Sequence, residues 1–109
     1  MELSKSDWQL FRERLPLWQE AYMDRLTREY IKLLQSEAPA SDRFWALEER
    51  LKHDKQNPGV VLQVRKSSAV FDIAEMVQKG VISENDLNGF SDDVIEAVMM
   101  LNGRRYSDL

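Results

Sequence analysis

The sequence predicts an all-α protein: a small bundle of about five helices around a long central helix, residues 16–36, with one short extended segment near residues 60–65. Apolar side chains recur at helical spacing along most of the chain, and only residues 60–65 alternate as in a strand. Glycine, proline or polar capping residues separate the helical stretches. A chain of 109 residues can bury one core. We therefore expect one domain over residues 1–103 and a flexible tail over 104–109.

The predicted central helix begins at Pro16, since proline suits the first helical position, where no N–H is required. Neither glycine nor proline follows until Pro39. Apolar residues recur mostly four apart at Trp18, Tyr22, Leu26, Tyr30 and Leu33/Leu34. This spacing places them on one helix face, so the aromatic residues are expected to pack in the core rather than to stack on a ligand.

A shorter helix is predicted before Pro16, over residues 7–14. Ser6 and Gln9 have the spacing of a capping box. Trp8 and Phe11 then face inward. The residue before a proline is pushed out of the helical region, so a break at Leu15-Pro16 is expected. A continuous, kinked helix is the alternative.

Three further helices are predicted after the loop at Pro39. The first spans residues 42–56 with Phe44, Leu47 and Leu51 buried and Trp45 at the edge of the apolar face. The next runs from Ser67 or Ser68 to Lys79 and ends at Gly80, as in a Schellman motif. Its inward residues are expected to be Val70, Ile73, Ala74 and Val77. A short turn over 84–88 leads to a last helix over 92–102, capped by Ser91.

Residues 60–65, VVLQVR, favour a strand because β-branched residues alternate there. A lone strand would leave its backbone groups unpaired. Three interpretations stay open. The segment is an extended connector, the first turns of the next helix, or a strand that pairs with a second subunit or a partner's edge.

The formal net charge is −4, and the acidity is concentrated near the end of the chain. Residues 80–103 contain no lysine or arginine. They do contain the acidic residues that we select as candidate partner-binding residues: Glu84, Asp86, Asp92, Asp93 and Glu96. An acidic chain is a poor match for a nucleic-acid backbone, so direct nucleic-acid binding is not expected. A protein partner with a basic surface is expected instead.

Chemistry-bearing motifs are scarce in this sequence. There is no cysteine, no glycine-rich phosphate loop and only one histidine, His53. The stretch from Glu84 to Asp92 resembles part of a calcium loop, but Ile95 stands where the bidentate carboxylate is needed. We therefore expect neither an enzyme nor a cofactor or metal site. No run is long and apolar enough for a membrane span, and we expect a cytoplasmic location.

Residues along most of the chain resemble a group of short proteins of bacterial mobile elements: plasmids, conjugative elements and prophages. The resemblance rests on Trp8, Phe11, Leu15-Pro16, Trp18-Gln19, Tyr22-Met23, Arg43-Phe44-Trp45, Leu47, Asp54-Lys55, Pro58-Gly59-Val60, Gly80-Val81-Ile82, Asp86-Leu87 and Phe90-Ser91. The group has no catalytic motif to transfer. Small acidic proteins of such elements include inhibitors of host defence such as anti-CRISPR proteins. The resemblance thus implies an inhibitor that blocks an effector nuclease or its RNA complex.

Three functions follow as hypotheses. The first is a non-enzymatic protein-binding module, encoded by a mobile element, that inhibits a host defence complex through the acidic residues. The second is a homodimeric structural or regulatory adaptor that uses residues 60–65 as a shared strand. The third is a small transcriptional regulator or antitoxin that uses Arg65, Lys66, Arg104 and Arg105.

Overall fold

A computed structural model describes residues 1–103, whose regular structure is entirely helical. The four α-helices are α1 (Lys5–Leu34), α2 (Ala40–Asp54), α3 (Ala69–Gln78) and α4 (Asp92–Leu101). Single 3-10 turns precede α3 and α4, at Lys66–Ser68 and Glu84–Leu87. The all-α prediction is confirmed. The predicted count of about five helices is wrong, because two of the predicted helices are one. The predicted tail, 104–109, lies outside the described residues.

The merged helix is α1, which runs through Pro16 without interruption over 30 residues. The predicted break at Leu15-Pro16 and the predicted 16–36 central helix are both wrong. The continuous helix that stood as the alternative is observed. Tertiary packing explains this, since Phe11, Leu15 and Trp18 form one buried stripe across the proline, whose own ring is exposed. The N-cap is Ser4, which accepts a hydrogen bond from the Asp7 N–H, rather than Ser6.

The buried side chains form one cluster between the first six turns of α1 and the pair α3 and α4. From α1 come Phe11, Leu15, Trp18, Tyr22 and Leu26. The other elements supply Val70, Ile73, Ala74, Met76, Leu87, Phe90, Val94 and Val98. The Trp18 ring lies 6.3 Å from the Phe11 ring and 6.3 Å from the Phe90 ring, centroid to centroid. The aromatic stripe from Trp18 to Tyr22 is therefore core, as predicted.

The C-terminus of α3 and the N-terminus of α4 are capped as predicted, whereas Ser68 at the start of α3 makes no side-chain capping hydrogen bond. Gly80 takes the left-handed conformation, with φ +75°. The Val81 N–H donates to the Met76 carbonyl at 2.8 Å and the Gly80 N–H to the Val77 carbonyl at 3.1 Å, the two bonds of a Schellman motif. At the start of α4, the Ser91 Oγ accepts from the Val94 N–H at 3.4 Å.

Helix α2 contradicts the predicted core. Phe44 and Trp45 are 64% and 61% exposed, and Leu51 is 40% exposed. The α2 residues that face α1 are instead largely polar and recur at 43, 47, 50 and 54. The Arg50 Nη2 donates to the Glu29 Oε1 at 2.8 Å, and the Arg43 Nη1 donates to the Leu34 carbonyl at 2.8 Å. These polar contacts rotate the apolar side of α2 toward solvent.

Residues 61–65 have no regular secondary structure and lead into the 3-10 turn at Lys66–Ser68. Val60 and Leu62 are partly buried against the core, while Val61 and Val64 are exposed. An extended connector is thus the interpretation that fits. The interpretation as the first turns of the next helix is wrong. Pairing with a second subunit stays a prediction.

Candidate functional site

The five acidic residues predicted to bind a partner lie on two consecutive elements. Glu84 and Asp86 belong to the 3-10 turn and are half-buried. Asp92 and Asp93 form the first turn of α4, and Glu96 lies one turn further; all three are exposed. The structure therefore presents part of the predicted site, the α4 trio, to solvent.

Asp86 has a local structural task. Its Oδ2 accepts hydrogen bonds from the Ser83 N–H at 2.8 Å and the Ser83 Oγ at 3.2 Å, and so closes a capping box. Its carbonyl accepts from the Arg14 Nη1 at 3.0 Å, and the Asn88 carbonyl accepts from the same nitrogen. Asp86 thus fastens the turn to α1, which makes it a poor contact residue.

Ser91 joins the acidic end of the chain to the start of α1. The buried Asp7 accepts from the Ser91 N–H at 3.0 Å and the Ser91 Oγ at 2.7 Å, and also from the Ser4 Oγ at 2.9 Å. Burial raises the pKa of the Asp7 carboxyl, but the hydrogen bonds from Ser91 and Ser4 outweigh burial and hold that pKa below its usual value. Asp7 therefore carries its charge at the N-termini of two helices, where it is favoured.

A second surface, which was not predicted from the sequence, lies on the α1–α2 hairpin. We call it the hairpin face and define it by Ile31, Leu34, Phe44, Trp45 and Leu51. Each is at least 40% exposed. The Phe44 and Trp45 rings meet edge to face, with centroids 5.0 Å apart. Neighbouring aromatic side chains left in water are unusual, since each large apolar side chain gains roughly 1.5–3 kcal/mol when buried.

A groove between the two helices continues this face. It has a volume of about 200 Å³, and its lining includes Met23, Thr27 and Tyr30 of α1 and Leu51 of α2. Ile31 and Leu34 follow Thr27 at helical spacing on α1. On α2, Phe44 precedes Leu51 by seven residues, which is two helical turns. Because the hairpin is antiparallel, both rows run toward the loop at residues 35–39, which gives an apolar strip about 10 Å long beyond the groove.

Paired polar groups fix the base of the groove. The Tyr30 hydroxyl donates to the Asp54 Oδ2, and the Arg50 Nε lies 3.6 Å from the same oxygen. Burial, with the hydrogen bond to Asp54, raises the pKa of Tyr30 to about 12. Tyr30 is therefore protonated at neutral pH. Within residues 1–103, no buried side-chain nitrogen or oxygen lacks a partner. The groove thus resembles a rigid contact surface more than an acid–base site.

Two other features carry less chemistry. His53 is exposed, and no group of three or more His, Asp or Glu side chains in the described part of the chain could hold a metal ion. A cavity of about 380 Å³ opens between the ends of α3 and α4, with Val77, Ile82, Glu84 and Val98 in its lining. Glu84 is the one predicted site residue that borders it.

No protein-family model, curated protein or solved structure matches this chain. Of the helices described, none is long and apolar enough to cross a membrane. The geometry described above leaves two candidate surfaces: the acidic trio on α4 and the hairpin face.

Proposed function

We propose that this chain is a non-enzymatic protein-binding module whose contact surface is the hairpin face. The observation that supports this most strongly is the exposure of Phe44 and Trp45 beside an apolar groove. Contiguous apolar patches on soluble proteins mark contact sites, and aromatic residues dominate the energetics of such contacts. The groove and the strip beyond it fit the apolar side chains of an amphipathic helix.

The hairpin is also suited to this task by its rigidity. Arg50 bridges Glu29 at 2.8 Å, and its guanidinium lies 5.5 Å from the Tyr30 ring centroid. Arg43 donates to the Ala38 carbonyl at 2.9 Å as well as to Leu34. A surface held in this way loses little conformational entropy when a partner binds.

Photo-crosslinking tests this proposal. p-Benzoylphenylalanine placed at Phe44 is expected to crosslink to a protein in cells that produce the chain. Phe71 of α3 is the matched control, since it is also a phenylalanine and is 54% exposed, but lies outside the hairpin face. We expect strong crosslinking from position 44 and little from position 71. Equal crosslinking from both positions, or none from position 44, would contradict the proposal.

The acidic trio supports a second candidate function, inhibition of a host defence complex by a mobile-element protein. Asp92, Asp93 and Glu96 are exposed, and no lysine or arginine lies within residues 80–103. Such a surface complements a basic nucleic-acid channel and could compete with DNA or RNA there. The partner would be a protein with a basic surface, such as a CRISPR effector nuclease or its RNA complex, in the cytoplasm. This candidate follows from the resemblance to short proteins of mobile elements, since small acidic proteins of such elements include anti-CRISPR inhibitors.

Charge reversal separates the second candidate from the first. Changing Asp92, Asp93 and Glu96 to lysine is expected to weaken binding to a CRISPR effector nuclease about tenfold or more, with a strong dependence on salt. The same reversal at the exposed Glu2, Glu13 and Glu20 serves as the control. Binding measured by pull-down should survive in the control. Equal binding by both variants would remove the acidic trio from the interface.

A further inference from the structure

The charges and the exposed area of the hairpin also indicate which protein covers the hairpin face. We infer that its occupant is a second copy of this chain, in a two-fold dimer in which α2 packs antiparallel against α2 of the copy. This inference rests on the proposed function, because it names the partner of the same surface.

The shape of the molecule leaves the end of the hairpin without a second layer. The described chain measures 51 × 34 × 20 Å, and α1 alone is about 45 Å long. The buried residues of α1 end at Leu26, and the one buried residue of α2 is Asp54. Residues 27–52 therefore form a two-helix layer whose apolar side nothing in the described chain covers. Helical layers reach stability by packing that side against another layer.

The charges on α2 select a second copy among the partners. Exposed acids, Asp42, Glu48 and Glu49, occupy its beginning and middle, while exposed bases, Lys52 and Lys55, occupy its end. With the two-fold axis near Leu47, antiparallel pairing places Asp42 of each α2 opposite Lys52 of the other and sets Phe44 and Trp45 close to the axis. A uniformly basic partner would complement only the acidic part of α2, and a uniformly acidic partner only its basic part. Residues 27–55 carry six Lys/Arg and six Asp/Glu, so two hairpins meet without net repulsion although the whole chain is at −4.

The exposed area also suits a dimer. The five side chains of the hairpin face expose on the order of 500 Å². Two copies would therefore bury about 1,000 Å² from these side chains alone, which reaches the lower limit for a specific interface. Two hairpins packed in this way form a four-helix bundle, the usual way in which paired helical hairpins bury their apolar sides.

Sedimentation equilibrium tests the inference on the full chain. From low-micromolar to near-millimolar protein, we expect the mass to rise from 12.8 kDa toward twice that value. The Phe44→Ser/Trp45→Ser variant should raise the dimer dissociation constant about 100-fold or more, as expected for central aromatic contacts. Phe71→Ser, the matched control, should leave it unchanged.

Charge variants test the antiparallel geometry. Asp42→Lys and Lys52→Asp should each weaken the dimer, while their equimolar mixture should dimerise as the wild type does. The circular dichroism of each variant shows whether it is folded.

A wild-type chain that stays at 12.8 kDa at all concentrations would overturn the inference. Crosslinking of position 44 to a different protein would then still support the proposed function. The absence of any crosslinking from position 44 would contradict both the dimer and the proposed function. A dimer that survives the Phe44/Trp45 and charge variants would also overturn it. Loss of that dimer on changing Val61 and Val64 would place the interface in residues 60–65 instead.

Discussion

Replacing Asp7 by asparagine is expected to lower the free energy of unfolding by about 2–3 kcal/mol. The carboxylate accepts three hydrogen bonds, from the Ser91 N–H, the Ser91 Oγ and the Ser4 Oγ. Two of these join α1 to the start of α4, 84 residues away. Asparagine keeps the size of the side chain but loses the charge and offers one acceptor oxygen instead of two. Urea unfolding at pH 7 measures the loss.

The stabilisation from Asp7 should depend on pH in a defined direction. Its pKa is lower in the folded protein than the unfolded value of about 3.9. Its contribution is therefore complete above about pH 4 and is lost as the pH falls through the lower, folded-state pKa. The difference between wild type and Asp7→Asn should be constant from pH 5 to about pH 7 and should shrink below pH 4.

Asp42 provides the matched control for this experiment. It is also an aspartate in the first turn of a helix, but it is exposed. At low-micromolar protein, where the chain is monomeric, Asp42→Asn should change the free energy of unfolding by about 0.5 kcal/mol at most, because exposed helix-end charges contribute little. Equal losses from the two substitutions would show that Asp7 acts only through the helix dipole.

Replacing Gly59 by alanine is expected to cost about 2–3 kcal/mol, because the added methyl group has no space. A Cβ built at Gly59 comes closest to the Tyr22 Cδ2 and lies 2.9 Å from both the Tyr22 Cε2 and the Val81 Cγ2. Gly59 itself is buried, and its N–H donates to the Asn57 Oδ1 at 2.8 Å. This close packing holds the connector after α2 against α1 and thereby fixes the base of the hairpin. Thermal or urea unfolding gives the magnitude.

Gly80 is the control for Gly59. A Cβ at Gly80 meets nothing within 4 Å, although its φ of +75° disfavours a side chain. Gly80→Ala should therefore cost about 1 kcal/mol, from backbone strain alone. Shortening Val81 to alanine should recover only part of the cost of Gly59→Ala in a double-mutant cycle, because the closest contact, with the Tyr22 ring, remains. A cost at Gly59 no larger than at Gly80 would contradict the steric explanation.

The helical class and most of the core could be predicted from the sequence, because they depend on local periodicity. The stripe from Trp18 through Leu26 is buried, as are Val70, Ile73 and Ala74. The course of α1 through Pro16 could not be predicted from the local signal. A proline removes one hydrogen bond, and that loss is offset by the buried stripe that continues on both sides. This compensation depends on tertiary contacts.

The error at α2 has a physical source in the helix itself. Its residues form two stripes at helical spacing: an apolar one through Phe44 and Leu51, and a polar one through Arg43, Arg50 and Asp54. The sequence predicts that the apolar stripe faces the core. In the structure the polar stripe faces α1, because Glu29, Tyr30 and the Leu34 carbonyl supply its partners. Periodicity identifies an apolar face but not whether the same chain or another covers it.

In the candidate sites too, features set by neighbouring residues could be predicted from the sequence, and features set by tertiary contacts could not. The exposed positions of Asp92, Asp93 and Glu96 could be inferred, because acids in the first turns of a capped helix face solvent. The capping role of Asp86 depends on Ser83, and their separation by three residues is the spacing of a capping box. The pairing of Asp7 with Ser91 could not be predicted from the spacing, because the two residues are 84 apart in the sequence. In the sequence, one feature pointed to the hairpin face: the adjacent pair Phe44-Trp45. Neighbouring residues of a helix project about 100° apart, so a narrow buried stripe cannot include both aromatic side chains.

The three tryptophans allow a direct test of whether the hairpin face is a contact surface. Trp18 is buried, Trp8 is partly buried and Trp45 is 61% exposed. In protein labelled with 5-fluorotryptophan, the ¹⁹F resonance of Trp45 is assigned by its loss in Trp45→Phe. As protein concentration rises, we predict that the Trp45 resonance shifts and becomes protected from solvent, while those of Trp8 and Trp18 stay constant. A Trp45 resonance that stays fully solvent-exposed at every concentration, and that is unchanged when cell extract is added, would contradict the claim.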